Sequence, residues 1–331
     1  MKKSLIAMAV LAASGAAMAQ SSVTLYGVVD ANVTWEDNGA QSVTRMDTGR
    51  LNGSRFGFKG SEDLGGGMSA IFTLESGFNP DTGAQADAAR FFNRQSFVGL
   101  ATGFGTVKLG RQMTPVYANA ATFDAMGNAL AGDTASLFQY SGSRTDNVIS
   151  YNYAASGFRG EVQYGLGEVA GNSSANRMMG GFVGYKMGPI DVVLTYQDTK
   201  NAANNDSAKV TLLGGNYNFG IAKVFAAYSS EKGLGTVDVR DWHLGLTAPI
   251  GTAGTAMVSY VKEENRFSAN RDSELVAVGY THTLSKRTAL YTSYGQMKND
   301  SAVANRAGGA SLVTPLGNTN KLFNVGVRHM F

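Results

Sequence analysis

The chain has no cysteine, five prolines and three histidines in 331 residues. Without cysteine there is no disulfide framework and no thiolate ligand or nucleophile. His243, His282 and His329 are scattered, and no Ser or Asp motif surrounds any of them. Three isolated imidazoles make neither a transition-metal centre nor the base of a hydrolase. Scarce proline leaves long hydrogen-bonded strands uninterrupted. No segment after the N-terminal region offers roughly 18 consecutive apolar residues, which excludes a helical membrane protein. Charge of one sign is also lacking. Without Lys2 and Lys3, 26 basic residues stand against 25 acidic ones, so no basic stripe suggests a nucleic-acid partner.

What is present begins with MKKSLIAMAVLAASGAAMAQ, in which Lys2 and Lys3 precede an apolar run and Ala17, Met18 and Ala19 form an A-x-A site. This is the layout of a secretory signal, and the apolar run is too short to span a bilayer. Cleavage after Ala19 is expected, leaving residues 20–331 as a single domain. At the other end Phe323, Val325, Val327, His329 and Phe331 alternate with Asn324, Gly326, Arg328 and Met330. Such a strand sets one face against lipid and the other against water, with its terminal aromatic at a membrane interface. Phe331 is the expected outer-membrane assembly signal, read by the barrel-assembly machinery.

The rest of the chain repeats that alternation. Val23, Leu25, Val29, Ala31 and Val33 share one face of a strand near 23–35, while Tyr26, Asp30 and Asn32 share the other. A long hairpin partner follows near 42–60. Short connections fall at 61–67, 103–105, 154–157, 187–190, 218–220, 249–254 and 284–287. Longer ones fall near 36–41, 79–89, 114–143, 168–178, 200–207, 232–237, 265–272 and 299–319. Short turns and long loops strictly take turns, which predicts an all-β, 16-stranded antiparallel transmembrane β-barrel with short periplasmic turns and long external loops. Its 42 glycines, 17 phenylalanines and 14 tyrosines suit turns and interfacial girdles. A mean hydropathy of -0.11 fits a wall whose lipid-facing residues are diluted by polar lumen residues.

The longest connection, 114–143, carries Ala, Met, Leu and Phe with only Asp124 and Asp133 as charges. That is an odd composition for a solvated loop. A third loop folded into the lumen, narrowing the pore, explains it.

The strings SSVTLYGVVD, GSRFGFKGSEDLGGG, FVGL followed by FGTVKLGRQ, NVISYNY, LSKRTALY and NVGVRHMF closely resemble the general-diffusion porins of β-proteobacteria, over essentially the whole mature chain. The resemblance implies a homotrimer in the bacterial outer membrane, in contact with lipid and lipopolysaccharide. It implies a constriction made by the third loop and diffusion of small hydrophilic solutes, many members preferring anions. No cofactor is called for. In anion-selective relatives an arginine stands on the second strand, on the fourth, and where the third loop rejoins the wall. This implies Arg55, Arg94 and Arg144 as the constriction cluster.

Residue parity adds partners. Lys59 shares the inward face with Arg55 because Phe56 and Phe58 take the outward one, and Glu75 lies opposite Phe72 and Leu74. Tyr151 and Tyr153 put Arg144 and Asp146 inside. Asp124 and Asp133 on the third loop would either set a transverse field or neutralise the arginines. Lys108 and Arg111 are further lining candidates. Passive permeation needs only such charges around a water-filled passage. The expected function is therefore a diffusion channel with a moderate anion preference, the alternative being weak or cation-preferring selectivity. An outer-membrane enzyme and a secreted adhesin are the rival classes, and no metal site is expected.

Overall fold

The computed structural model describes residues 22–134 and 139–331. The expected signal segment and the Gln20 start lie outside them. The strands in chain order are β1 (Ser22–Asp37), β2 (Ser42–Thr48), β3 (Arg55–Gly65), β4 (Met68–Gly77), β5 (Gln95–Thr102) and β6 (Gly105–Met113). After the longest connection come β7 (Arg144–Ala155), β8 (Phe158–Gly165), β9 (Met178–Met187), β10 (Ile190–Lys200), β11 (Ser207–Asn218) and β12 (Lys223–Gly233). The series ends with β13 (Val237–Ile250), β14 (Gly254–Asn265), β15 (Ser273–Thr283), β16 (Thr288–Asn299) and β17 (Asn320–Met330).

From β3 onward every strand pairs antiparallel with the next, and β17 closes on β1 with Val28 opposite Met330 and Asp37 opposite Lys321. The same β1 pairs with β2 along Ala31–Asp37 and with β3 along Ser22–Val28. Thus β2 and β3 are two halves of one wall position, and the closed barrel has 16 strands. Closure leaves no open sheet edge facing the bilayer. The predicted hairpin partner at 42–60 is this interrupted strand, and residues 49–54 leave the wall between its halves. Phe331 extends the closure, exchanging backbone bonds of 3.1 Å in both directions with Gly27. Its ring lies over Gly27 so closely that a Cβ there would sit 2.2 Å from Cζ, so a larger residue would have to displace the ring.

On β1 the outward Val23, Leu25, Val29 and Val33 are exposed, while the inward Asp30, Asn32, Thr34 and Glu36 are buried. The far wall breaks this pattern. Val193, Val210, Leu212, Val261, Leu275, Met297 and Leu322 point inward and are buried. What covers them is the connection between β6 and β7. It runs through two short helical turns, α1 (Pro115–Ala118) and α2 (Ala120–Phe123), and a 3-10 turn at Leu130–Gly132. Val116, Ala120, Phe123 and Ala131 pack on that apolar wall. Met126 and Leu130 pack on Met257, Ala277 and Tyr291. The third loop therefore lies inside the barrel, and its apolar composition is that of a buried strip, not of a solvated surface. Small residues let it approach the wall. A Cβ on Gly295 would lie 2.7 Å from the Ala131 carbonyl oxygen.

Candidate pore constriction

The neck of the third loop is drawn shut by Thr114. Its amide donates to Ser143 O at 3.2 Å and its hydroxyl to Gly142 O at 2.8 Å, while the same hydroxyl oxygen accepts from the Tyr117 amide at 3.3 Å and so caps α1. This presents the Tyr117 ring to Arg144, whose guanidinium carbon stands 5.3 Å from the ring centroid. Arg144 Nε donates to Arg94 O at 2.7 Å. Among the described residues Arg144 makes no ion pair, and its Nη2 is buried without a hydrogen-bond partner.

Arg94 and Arg55 meet on Glu75, with Nε to carboxylate distances of 2.8 Å and 3.3 Å. The Tyr26 hydroxyl donates to the same carboxylate at 3.0 Å. Glu75 is nearly buried, whereas the two arginine side chains remain 16% and 23% exposed. The three predicted arginines thus gather on one wall around a single carboxylate. Arg144 reaches this place although strand parity does not carry to it. The β6–β7 register changes from Gly110 opposite Val148 to Gln112 opposite Thr145. The extra residue belongs to β7, where Asn147 has a φ of 57°, and such a bulge re-aims the side chains beyond it.

The other predicted residues divide. Arg111 donates to Asn93 O at 2.7 Å and pairs with Asp146, which also pairs with Arg90 at 3.2 Å. Arg90 is a residue the sequence reasoning missed, and it doubles back onto Asp87 at 3.1 Å. The Ala89 amide holds the Asp87 carboxyl below its ordinary value, and the hydrogen bond that Arg90 donates to Asp87 holds the guanidinium pKa above its own. Lys108 pairs with Glu161 at 3.1 Å. Lys59 is exposed, 5.3 Å from the centre of the Tyr26 ring.

The two loop aspartates stand apart from the arginines. Asp124 is buried and accepts from the amides of Met126 at 2.8 Å and Asn128 at 2.7 Å and from the Thr134 hydroxyl at 2.8 Å. It ties the loop to itself, and burial pushes its carboxyl up to about 6. Asp133 packs beside Gly308 of the last long connection, where residues 304–310 and Gln139 share with it a polar recess of about 320 Å³.

The far wall carries carboxylates as well, and the returning limb of the loop covers them. Glu231 accepts from the Tyr140 amide at 2.9 Å, and Glu263 accepts from Gln139 at 3.0 Å and Asn305 at 2.8 Å. Glu231, Asp241 and Glu263 are 1%, 0% and 6% exposed.

A family model described as Gram-negative porin matches residues 5–302. The chain belongs to the Gram-negative porin family. It is 35% identical to outer membrane porin protein 32 of Delftia acidovorans over the whole of both chains. It is 32% identical to the major outer membrane protein P.IB of Neisseria meningitidis, covering 94% of this chain and 99% of that one. Among solved structures, the anion-selective porin from Comamonas acidovorans superposes with a TM-score of 0.85 at 31% identity, covering 94% of this chain and all of that one. OmpT of Vibrio cholerae, solved in a trimer form, shares the fold at 16% identity and a TM-score of 0.71.

This porin is an integral outer-membrane channel and not an enzyme. Among the described residues, catalytic residue types come together around His243. Ser259 Oγ and Asp124 Oδ1 both approach His243 Nε2, at 3.2 Å and 3.7 Å. A relay needs the acid on the other ring nitrogen and an open nucleophile, whereas all three side chains here are buried. Among the described residues no three His, Asp or Glu side chains are grouped to hold a metal ion.

Proposed function

We propose that this porin passes ions and small hydrophilic solutes by diffusion with a moderate preference for anions, set by Arg55, Arg94 and Arg144. One observation carries the reading. The arginine wall faces the passage with Glu75 as its one neutralising carboxylate, while Glu231 and Glu263 of the opposite wall are buried beneath the returning limb of the loop. The named selectivity of the Comamonas relative points the same way. A unit charge at about 4 Å is worth roughly 1 kcal/mol in bulk water and about 4 kcal/mol at an effective dielectric of 20. Two net charges in a narrow passage therefore suffice for preference without exclusion. Lys59, Lys108 and Arg111 line the approach, and Asp146 tempers it by holding Arg90 and Arg111. Asp124 acts on the loop rather than on the permeating ion.

The test is the zero-current potential of the purified protein in a planar bilayer under a KCl gradient. The native channel gives a potential of anion-selective sign, and Arg55→Ser combined with Arg144→Ser collapses it. Stepwise conductance with a potential that is near zero or cation-selective, unchanged in the variant, would leave a porin and remove the arginine mechanism. The working form is a homotrimer in contact with lipid and lipopolysaccharide, assembled through the C-terminal strand ending at Phe331. The mature chain starts at Gln20, which an intact-mass measurement of outer-membrane protein reads directly; a retained leader would contradict it.

A further inference from the structure

Residues 49–54, where the wall opens between β2 and β3, turn inward and touch both the third loop and the arginines. The Arg50 carbonyl accepts from the Leu130 amide at 2.7 Å, and Leu51 packs against the cluster formed by Met126, Leu130 and Tyr291. The Gly53 carbonyl accepts from Arg55 Nη1 at 3.0 Å. Gly53 also lies under the Arg94 guanidinium, so that a Cβ there would be 2.9 Å from Nη1. This short segment therefore contacts two of the three constriction arginines and the tip of the loop opposite them.

What holds the segment is one carboxylate. Asp30 Oδ2 accepts from the Leu51 and Asn52 amides at 3.1 Å and 2.7 Å, and Oδ1 accepts from the Tyr291 hydroxyl. The Asp30 backbone grips the two ends of the segment. Its carbonyl accepts from the Gly49 amide at 3.0 Å and from the Ser54 hydroxyl at 3.0 Å, and its amide donates to Ser54 Oγ at 2.9 Å. Arg328 adds a bond from Nη1 to Asn52 Oδ1 at 2.9 Å. Asp30 is fully buried, reaches neither the passage nor any constriction arginine, and yet anchors a segment that touches both sides of it.

We propose that residues 49–54 form a second constriction element and that Asp30 is its positioning residue, fixing where Arg55 and Arg94 stand and where the tip of the third loop docks. The inference rests on the anion-preferring reading above. Loss of the Asp30 carboxylate frees two amides and a hydroxyl, lets the segment move, and shifts the guanidinium groups that lean on Gly53. Because Coulomb energy falls inversely with distance, doubling a separation of about 4 Å halves the pull on a passing anion.

The experiment measures zero-current potential and open-channel current noise for the native porin, Asp30→Ala, Asp30→Asn, Gly53→Val and Arg144→Ser, each recovered as the folded, heat-modifiable species. Expected is a fall of at least about twofold in the chloride-to-potassium permeability ratio for Asp30→Ala and Gly53→Val, following that distance dependence. Noise rises in Asp30→Ala, and Asp30→Asn lies between it and the native channel because an amide oxygen still accepts. A purely structural role lowers thermal stability and leaves the ratio untouched. An unchanged ratio in Asp30→Ala and Gly53→Val, beside a collapsed one in Arg144→Ser, overturns the inference while sparing the arginine reading. If the native ratio shows no anion preference, the arginine reading falls, and the inference then stands or falls on whether noise and conductance separate the Asp30 and Gly53 variants from the native channel. Should Asp30→Ala fail to fold, Gly53→Val decides, since it alters no group that bonds Asp30.

Discussion

Glu75→Gln isolates the electrostatic argument, because it removes charge while keeping shape. The carboxylate lies 2.8 Å from Arg94 and 3.3 Å from Arg55, and with Arg144 the cluster carries three positive charges against one negative. Neutralising Glu75 raises the net charge of the site by one. For an anion passing about 5 Å away the added attraction is roughly 0.8 kcal/mol at the dielectric of water and about 3 kcal/mol at an effective dielectric of 20. Taking the lower figure, since the passage is wet, chloride permeability relative to potassium should rise about fourfold or more. The zero-current potential under a KCl gradient reads this directly. The gain must also shrink with salt, because the Debye length falls from about 10 Å at 0.1 M to about 3 Å at 1 M.

The same substitution has a cost in stability. Two guanidinium groups lose their shared partner, and breaking a buried pair on one side costs about 3–5 kcal/mol. Both arginines keep some exposure and the glutamine oxygen still accepts, so the loss here lies below that range. A lower unfolding temperature together with a stronger anion preference is therefore the expected signature. A potential that stays put, or moves toward cation selectivity, would refute the view that Glu75 tempers the arginines.

Two further predictions concern the loop. Burial raises the Asp124 carboxyl from 3.8 to about 6, so its contribution to stability is fully present below about pH 4 and is lost as pH rises through about 6; over two pH units this amounts to roughly 3 kcal/mol. Comparing the unfolding midpoint of native porin and Asp124→Asn at pH 4 and pH 7 checks the sign: a difference between the two proteins that stays constant across that range contradicts it. Gly295→Ala places a methyl 2.7 Å from the Ala131 carbonyl oxygen, an overpacking of about 1–3 kcal/mol. It should lift the loop from β16 and raise conductance or noise in single-channel records, and native-like records would show that the loop does not bear on this glycine.

The barrel was legible because alternation and the rhythm of short and long connections are local properties of the chain. The third loop betrayed itself by composition alone. What stayed hidden has physical reasons. Val210, Leu212 and Leu275 face inward and look like lipid-facing residues, since burial under a loop and burial in lipid ask for the same side chains. The bulge at Asn147, which breaks the parity that runs from Tyr151 to Arg144, leaves no trace that alternation reads. The 42–60 run reads as one strand, although Gly49, Asn52 and Gly53 inside it mark the place where the wall opens. Partners such as Tyr291 and Asp30, 261 residues apart, depend on closure of the barrel and leave no local trace.

The distribution of charge across the passage depends on the loop as much as on the wall. The inner surface carries acids on both sides, Glu75 on one and Glu231, Asp241 and Glu263 on the other. The loop covers one side selectively: its apolar residues seal the far wall, and its returning limb donates hydrogen bonds to Glu231 and Glu263. On the proposed reading, acids withdrawn in this way act on a passing ion only through protein, while Arg55 and Arg94, which keep some exposure, act across water. Selectivity then follows from which charges the loop leaves uncovered, and displacing the loop should weaken anion preference even with every arginine intact. On the same reading the segment at 49–54, which meets the loop at Leu130, bears on selectivity through position and not through a charge in the constriction cluster.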